Sequence, residues 1–133
     1  MNKLISVFLI TALISVNAIA DTDEGVPSYN NWFELVDSGR YAESWDKAAP
    51  YFQSQITREQ WVQALEKVRR PLGRVFTRKF TTSNPHTSLP GVPDGEYSVV
   101  TFTTSFEYKS SATETITLSK VDNDWRTVGY FIR

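Results

Sequence analysis

The spacing of apolar residues changes once along this chain, near Gly73, and that change limits the fold more than any other feature. Before it, apolar side chains recur every three to four positions, the repeat of a helix with one buried stripe. After it they recur at every second position, the repeat of a half-buried strand. A run of helices followed by a run of strands predicts an α+β domain, with the helices on one face of an antiparallel sheet.

Three helical patterns precede the change. Tyr29, Trp32, Phe33 and Val36 fall at i, i+3, i+4 and i+7, with Ser28 as a cap and Gly39 as a stop. Tyr41, Trp45, Ala48, Ala49 and Phe52 form a second stripe, broken or bent at Pro50. In the third, Thr57 and Gln60 fit a capping box, and Trp61, Leu65, Val68 and Leu72 make the stripe. Arg69 and Arg70 suit the negative end of that helix, which Pro71 and Gly73 close.

Four strands follow: Arg74 to Thr82, Glu96 to Lys109, Thr113 to Val121 and Trp125 to Arg133, with short turns at "KSS" and "DND". The segment "SNPHTSLPGVPDG" between the first two is the one long loop. Three N-terminal helices on one face of a four-stranded antiparallel meander is the expected architecture. The length of the second strand predicts that the sheet curls around the third helix, giving half a cone.

The first twenty residues, "MNKLISVFLITALISVNAIA", read as a secretory signal. Lys3 supplies the positive start, Leu4 to Val16 the apolar stretch, and Ala18-Ile19-Ala20 the cleavage pattern. Residues 21–26 are then a flexible lead-in, residues 27–133 a single domain, and the destination is the periplasm or the exterior. Without Lys3, 13 basic residues face 15 acidic ones, which gives no electrostatic footprint for nucleic acid or anionic lipid. No second apolar stretch would hold the cleaved chain in a membrane. With no cysteine, the domain must be held by its core alone, and four Trp, six Tyr and seven Phe after the signal supply it.

The runs "LVDSGRYAESWDKAAPYF", "TREQWVQALEKVRRPLGRV", "PDGEYSVVTFTTSF", "ETITL" and "WRTVGYFIR" occur in an order that resembles a bacterial family, domain of unknown function 4019. The likeness covers nearly all of the chain after the signal. Its helix-then-sheet order is similar to the cystatin-like, cone-shaped folds that include nuclear transport factor two and ketosteroid isomerase. That similarity implies a fold and no activity.

Most chemistry-bearing patterns are missing. One His and no Cys leave nothing for a transition metal, and no cofactor is implied. Asp122 and Asp124 flank Asn123 as turn formers rather than as a calcium loop. His86 lies in the long loop with no nucleophile motif to serve, and there is no phosphate-binding glycine loop.

The inner face of the sheet is the exception. Val100, Phe102, Phe106 and Tyr108 share a face on the second strand, as do Phe76, Arg78 and Phe80 on the first and Glu114, Ile116 and Leu118 on the third. Arg78 and Glu114 thus fall on apolar faces on either side of the second strand, about 10 Å apart at two strand spacings. With Tyr130 or Thr104 nearby they make a polar patch in the mouth of the cone. Arg78, Glu114 and Tyr130 are the candidate ligand-binding residues. Three other accounts stay open: a solvated rim, a structural ion pair, or a desolvated Glu114 acting as general base with Arg78 or Tyr130 positioning substrate.

On the outer face the pattern sets Tyr97, Val99 and Val121, with Trp125 and Phe131 if the "DND" turn allows, among Thr101, Thr103, Thr117 and Lys79. Exposed aromatics there would suit a homodimer through the sheet. The sequence therefore predicts an exported, non-catalytic module for a small ligand or protein partner. The alternative is a small isomerase or dehydratase built on Glu114.

Overall fold

A computed structural model of the chain describes residues 29–133. The segments expected to be a secretory signal, a lead-in and the Ser28 cap lie outside the described residues. The described part is α+β: four helices and then an open sheet of four antiparallel strands in the order β1-β2-β3-β4. The helices are α1 (Tyr29–Asp37), α2 (Tyr41–Asp46), α3 (Pro50–Gln55) and α4 (Arg58–Val68), followed by a 3-10 turn, Arg70–Leu72. The strands are β1 (Val75–His86), β2 (Tyr97–Phe106), β3 (Lys109–Val121) and β4 (Asp124–Ile132).

Local chemistry accounts for the helix ends. Past the last turn of α1, Gly39 adopts φ +79°, while its N–H bonds to Val36 O and that of Arg40 to Leu35 O. This is the paired closure that a left-handed residue permits. The second predicted helix is two helices, because the residue before a proline is driven to extended backbone. Ala49 takes φ −65°, ψ 148°, and its freed N–H donates to Thr127 O of β4 at 2.8 Å. The Thr57–Gln60 capping box forms in full, with bonds of 3.0 and 3.1 Å. Helix α4 ends at Val68, earlier than its apolar stripe suggests. Gly73, at φ +74°, lies so close to Glu107 that a Cβ there would meet Glu107 Oε1 at 2.6 Å.

The sheet departs from the predicted boundaries at its turns. β2 and β3 are joined at Glu107–Tyr108, with Phe106 opposite Lys109, rather than at "KSS". Glu114 is therefore in mid-strand and not at a strand end. Tyr108 sits in the turn and is 74% exposed, so it leaves the inner face. Phe76 leaves it too: it falls at a bulge between Val75 and Thr77 and is 59% exposed. β1 continues through His86 and absorbs the first part of the predicted loop.

The turn into β4 has two residues, Asp122 and Asn123, at φ 49° and 68°, the pair of left-handed residues that a tight hairpin requires. This fixes the parity of β4 as far as Thr127, and a bulge at Val128 then reverses it, so Trp125, Thr127 and Tyr130 all fall on the inner face and Phe131 on the outer. Trp125 lies opposite Lys120 and packs against the core cluster instead of joining the outer face. Tyr97 does occupy an outer-face position but is buried, its hydroxyl bonded to Pro93 O of the loop beside it.

Helix aromatics meet β2 and β3 in the core. Tyr29, Trp32 and Phe33 of α1, Phe52 of α3, and Trp61 and Leu65 of α4 join Val100, Phe102, Ile116 and Leu118 in one buried cluster. Phe33 and Phe102 meet edge to face at 5.2 Å, and Phe52 and Trp61 at 4.9 Å. The buried indoles are satisfied as well, since Trp32 donates to Ser44 O and Trp61 to Ser44 Oγ, each at 2.9 Å.

Candidate functional site

Arg78 and Glu114 meet directly across β2. Arg78 lies opposite Thr104, and Glu114 lies opposite Phe102 two residues away on the same face. The small Thr104 side chain leaves room for the guanidinium to reach over. Arg78 donates from Nε to Glu114 Oε1 at 2.8 Å and from Nη2 to Oε2 at 3.2 Å. Thr104 Oγ1 donates to Oε1 at 2.5 Å, and the Tyr130 hydroxyl, from the inner face of β4, donates to Oε2. The three predicted site residues are thus brought together with Thr104, and Glu114 is 0% exposed. A solvated rim does not describe it.

Two further members come from the helices. Asp37, at the end of α1, accepts from Arg78 Nη1 at 2.8 Å and Nη2 at 2.9 Å. It also accepts from Arg69 Nη2 at 2.8 Å, while Arg69 Nη1 donates to Gly73 O. Two cations and two anions make the cluster neutral, and both guanidiniums lie over rings, Arg78 on Phe33 at 3.8 Å and Arg69 on Phe106 at 4.5 Å. A signal for Arg69 was present in the sequence. It follows Trp61 and Leu65 at steps of four, so it takes the inward place at the cap of α4, and Val68 is turned out and half exposed. Asp37 gave a subtler one, as a carboxylate at the helix end where negative charge is least favoured.

These contacts set the electrostatics. Burial weighs most against the charge of Arg78, but the hydrogen bonds to Asp37 and Glu114 outweigh it and hold the guanidinium more firmly protonated than usual. Burial and then the Glu114 charge push the Tyr130 hydroxyl well above the ordinary tyrosine range, which keeps it a donor. Two buried polar atoms have no partner among the described residues, Arg69 Nε and Thr127 Oγ1.

The other candidates lie apart from this cluster. His86 is exposed at the end of β1, and the Asp122–Asn123 pair forms the hairpin turn. Among the described residues no three His, Cys, Asp or Glu side chains come together. Two of the open concavities are elsewhere. A cleft of about 580 Å³ lies between α1, the end of α2 and the start of β4, with Trp32, Leu35, Trp125 and Thr127 among its walls. A second, of about 560 Å³, is lined by His86, Glu96, Tyr97 and again Trp125. A shallower hollow of about 380 Å³ lies outside Asp37 and Arg78.

The family described as Protein of unknown function (DUF4019) matches residues 28–130, a span that holds every member of the cluster and every lining residue of the α1/β4 cleft. The chain belongs to that family. No curated protein matches the sequence. In this DUF4019 chain the cluster ties the ends of α1 and α4 and all four strands together at one point, and the α1/β4 cleft opens along the Asn31 and Leu35 side of α1.

Proposed function

We propose that this is an exported, non-catalytic binding module whose ligand site is the cleft between α1 and β4. The Asp37–Arg78–Glu114 cluster, open to solvent at Asp37 and closed at Glu114, serves to hold that cleft in shape. The observation that carries this reading is the state of Glu114. Its two oxygens accept from Arg78, Thr104 and Tyr130, and none of its surface is exposed. A general base must present a lone pair within reach of a substrate proton. For Glu114 to act in an isomerase or dehydratase, Tyr130, Thr104 or Arg78 would first have to release it. Arg78, Glu114 and Tyr130 act on the ligand through the frame they fix.

Export rests on residues 1–20, and among the described residues no helix is long and apolar enough to cross a membrane. We read residues 27–133 as one domain with the cystatin-like, cone-shaped fold. The shared cluster of helix and sheet residues supports that reading. A homodimer through the outer sheet face has less to work with than the sequence suggests. Tyr97 is buried and Trp125 faces the core, although Phe131 and, at the β1 bulge, Phe76 are exposed.

The reading is tested by a fragment screen on the purified protein, followed by amide and indole NMR shifts. Saturable shifts confined to Asn31, Leu35, Trp125 and Arg126 support it. Fragments that instead shift Glu114 and Tyr130, or turnover abolished by Glu114→Gln, would replace it with the enzymatic reading.

A further inference from the structure

We infer that the ligand is a neutral, linear glycan chain laid across Trp125. This inference rests on the binding-module reading and names its ligand class. The α1/β4 cleft and the concavity beside His86 share one lining residue, the partly buried Trp125, so the two lie on either side of it. An extended ligand occupying both would run past Trp125. The C–H faces of sugar rings suit an indole, while their hydroxyls need donors and acceptors around it.

The rim supplies both kinds of group. Lys47, Arg126, Glu34 and Asp124 line the α1/β4 cleft, and among the described residues none of them forms an ion pair. Two free cations and two free anions cancel. There is no one-signed field of the kind that attracts a polyanion or a polycation. The Thr127 hydroxyl adds a buried polar group in the cleft wall with no partner among the described residues, a match for a ligand hydroxyl.

An extended peptide is the obvious competitor, and it would bind by adding a strand to a free sheet edge. At the cleft one acceptor of that edge is already taken, because Thr127 O of β4 accepts from Ala49 N–H at 2.8 Å. Recognition there draws on side chains and ring faces, as it does for a glycan.

The test is NMR titration of the purified protein with cellotetraose, maltotetraose and the β-1,4-linked N-acetylglucosamine tetramer, each against its monosaccharide. The expected result is saturable movement of the Trp125 indole N–H and of Arg126 and Asn31 by at least one tetramer, with the monosaccharide binding more weakly. Trp125→Ala should weaken binding by at least about tenfold, or about 1.4 kcal/mol, whereas Trp125→Phe should keep most of it. Because Trp125 also packs on the core, Asn31→Ala on the exposed rim provides a second variant, expected to weaken binding with the fold intact. If no sugar moves the cleft but a mixture of tetrapeptides does, the glycan inference falls and the binding module stands. If no probe of any class moves it, both fall.

Discussion

Glu114→Gln is the substitution that asks most of the buried cluster. It changes shape little, but it removes the charge that faces Arg78 and turns one of two acceptor oxygens into an NH2 donor. Arg78, with 15% of its side chain exposed, keeps Asp37 and loses its other anion. Either Tyr130 or the guanidinium then points a donor at a donor in a place without solvent. Removing one partner of a buried pair costs about 3–5 kcal/mol, and since Asp37 still neutralises Arg78 we expect about 3 kcal/mol here. With a urea slope near 2 kcal/mol/M, that lowers the unfolding midpoint by about 1.5 M. The double variant Arg78→Met, Glu114→Leu leaves no unpaired charge from that pair and should lose less than Glu114→Gln alone. The assay is urea unfolding followed by tryptophan fluorescence. A midpoint for Glu114→Gln within about 0.3 M of the parent, or a double variant worse than the single, would refute the structural role.

The remaining predictions concern other links in the fold. Tyr130 is held protonated in the folded state, so its contribution is complete below pH 10. Above that the unfolded chain ionises alone, and stability should fall by about 1.4 kcal/mol per pH unit for this group. Tyr130→Phe should flatten part of that alkaline slope, with buried Tyr41, also raised by burial, accounting for a further part; urea midpoints at pH 8 and pH 11 give the comparison. Gly73→Ala combines backbone strain with the approach to Glu107 and should cost more than Gly39→Ala, which has open space and only the left-handed penalty of about 1–2 kcal/mol; thermal unfolding ranks them. Thr57→Ala removes the cap of α4 and should lower stability by about 1 kcal/mol in the same urea assay.

Much of this architecture is legible before any coordinates. The change of period at Gly73 separates helices from strands because the two repeats differ, and Pro50 divides the second helix because it restricts Ala49. Arg78 and Glu114 are placed on one face by parity alone. What parity could not supply was depth. Glu114 looks like a strand end only if the turn falls at "KSS", and Glu107–Tyr108 carries no turn formers to say otherwise. A bulge at Phe76 likewise leaves no mark in an alternating pattern. Asp37 and Arg69 come from helix ends distant in sequence, and only packing shows that two helix termini converge on the sheet. Trp125 turned on the length of one hairpin. Until Asp122 and Asn123 are known to be its only turn residues, the indole has equal claim to either face.

A division between frame and binding site requires Glu114 to be closed off by its donors. The measurement to make is hydrogen exchange at Arg78 Nε–H and the Tyr130 hydroxyl, observed as side-chain NMR signals at neutral pH. The closed cluster predicts two resolved protons that exchange slowly with water and stay unmoved when ligand fills the α1/β4 cleft. If both exchange too fast to be seen, or both move on ligand binding, Glu114 is open to solvent or substrate and the division between frame and binding site is wrong.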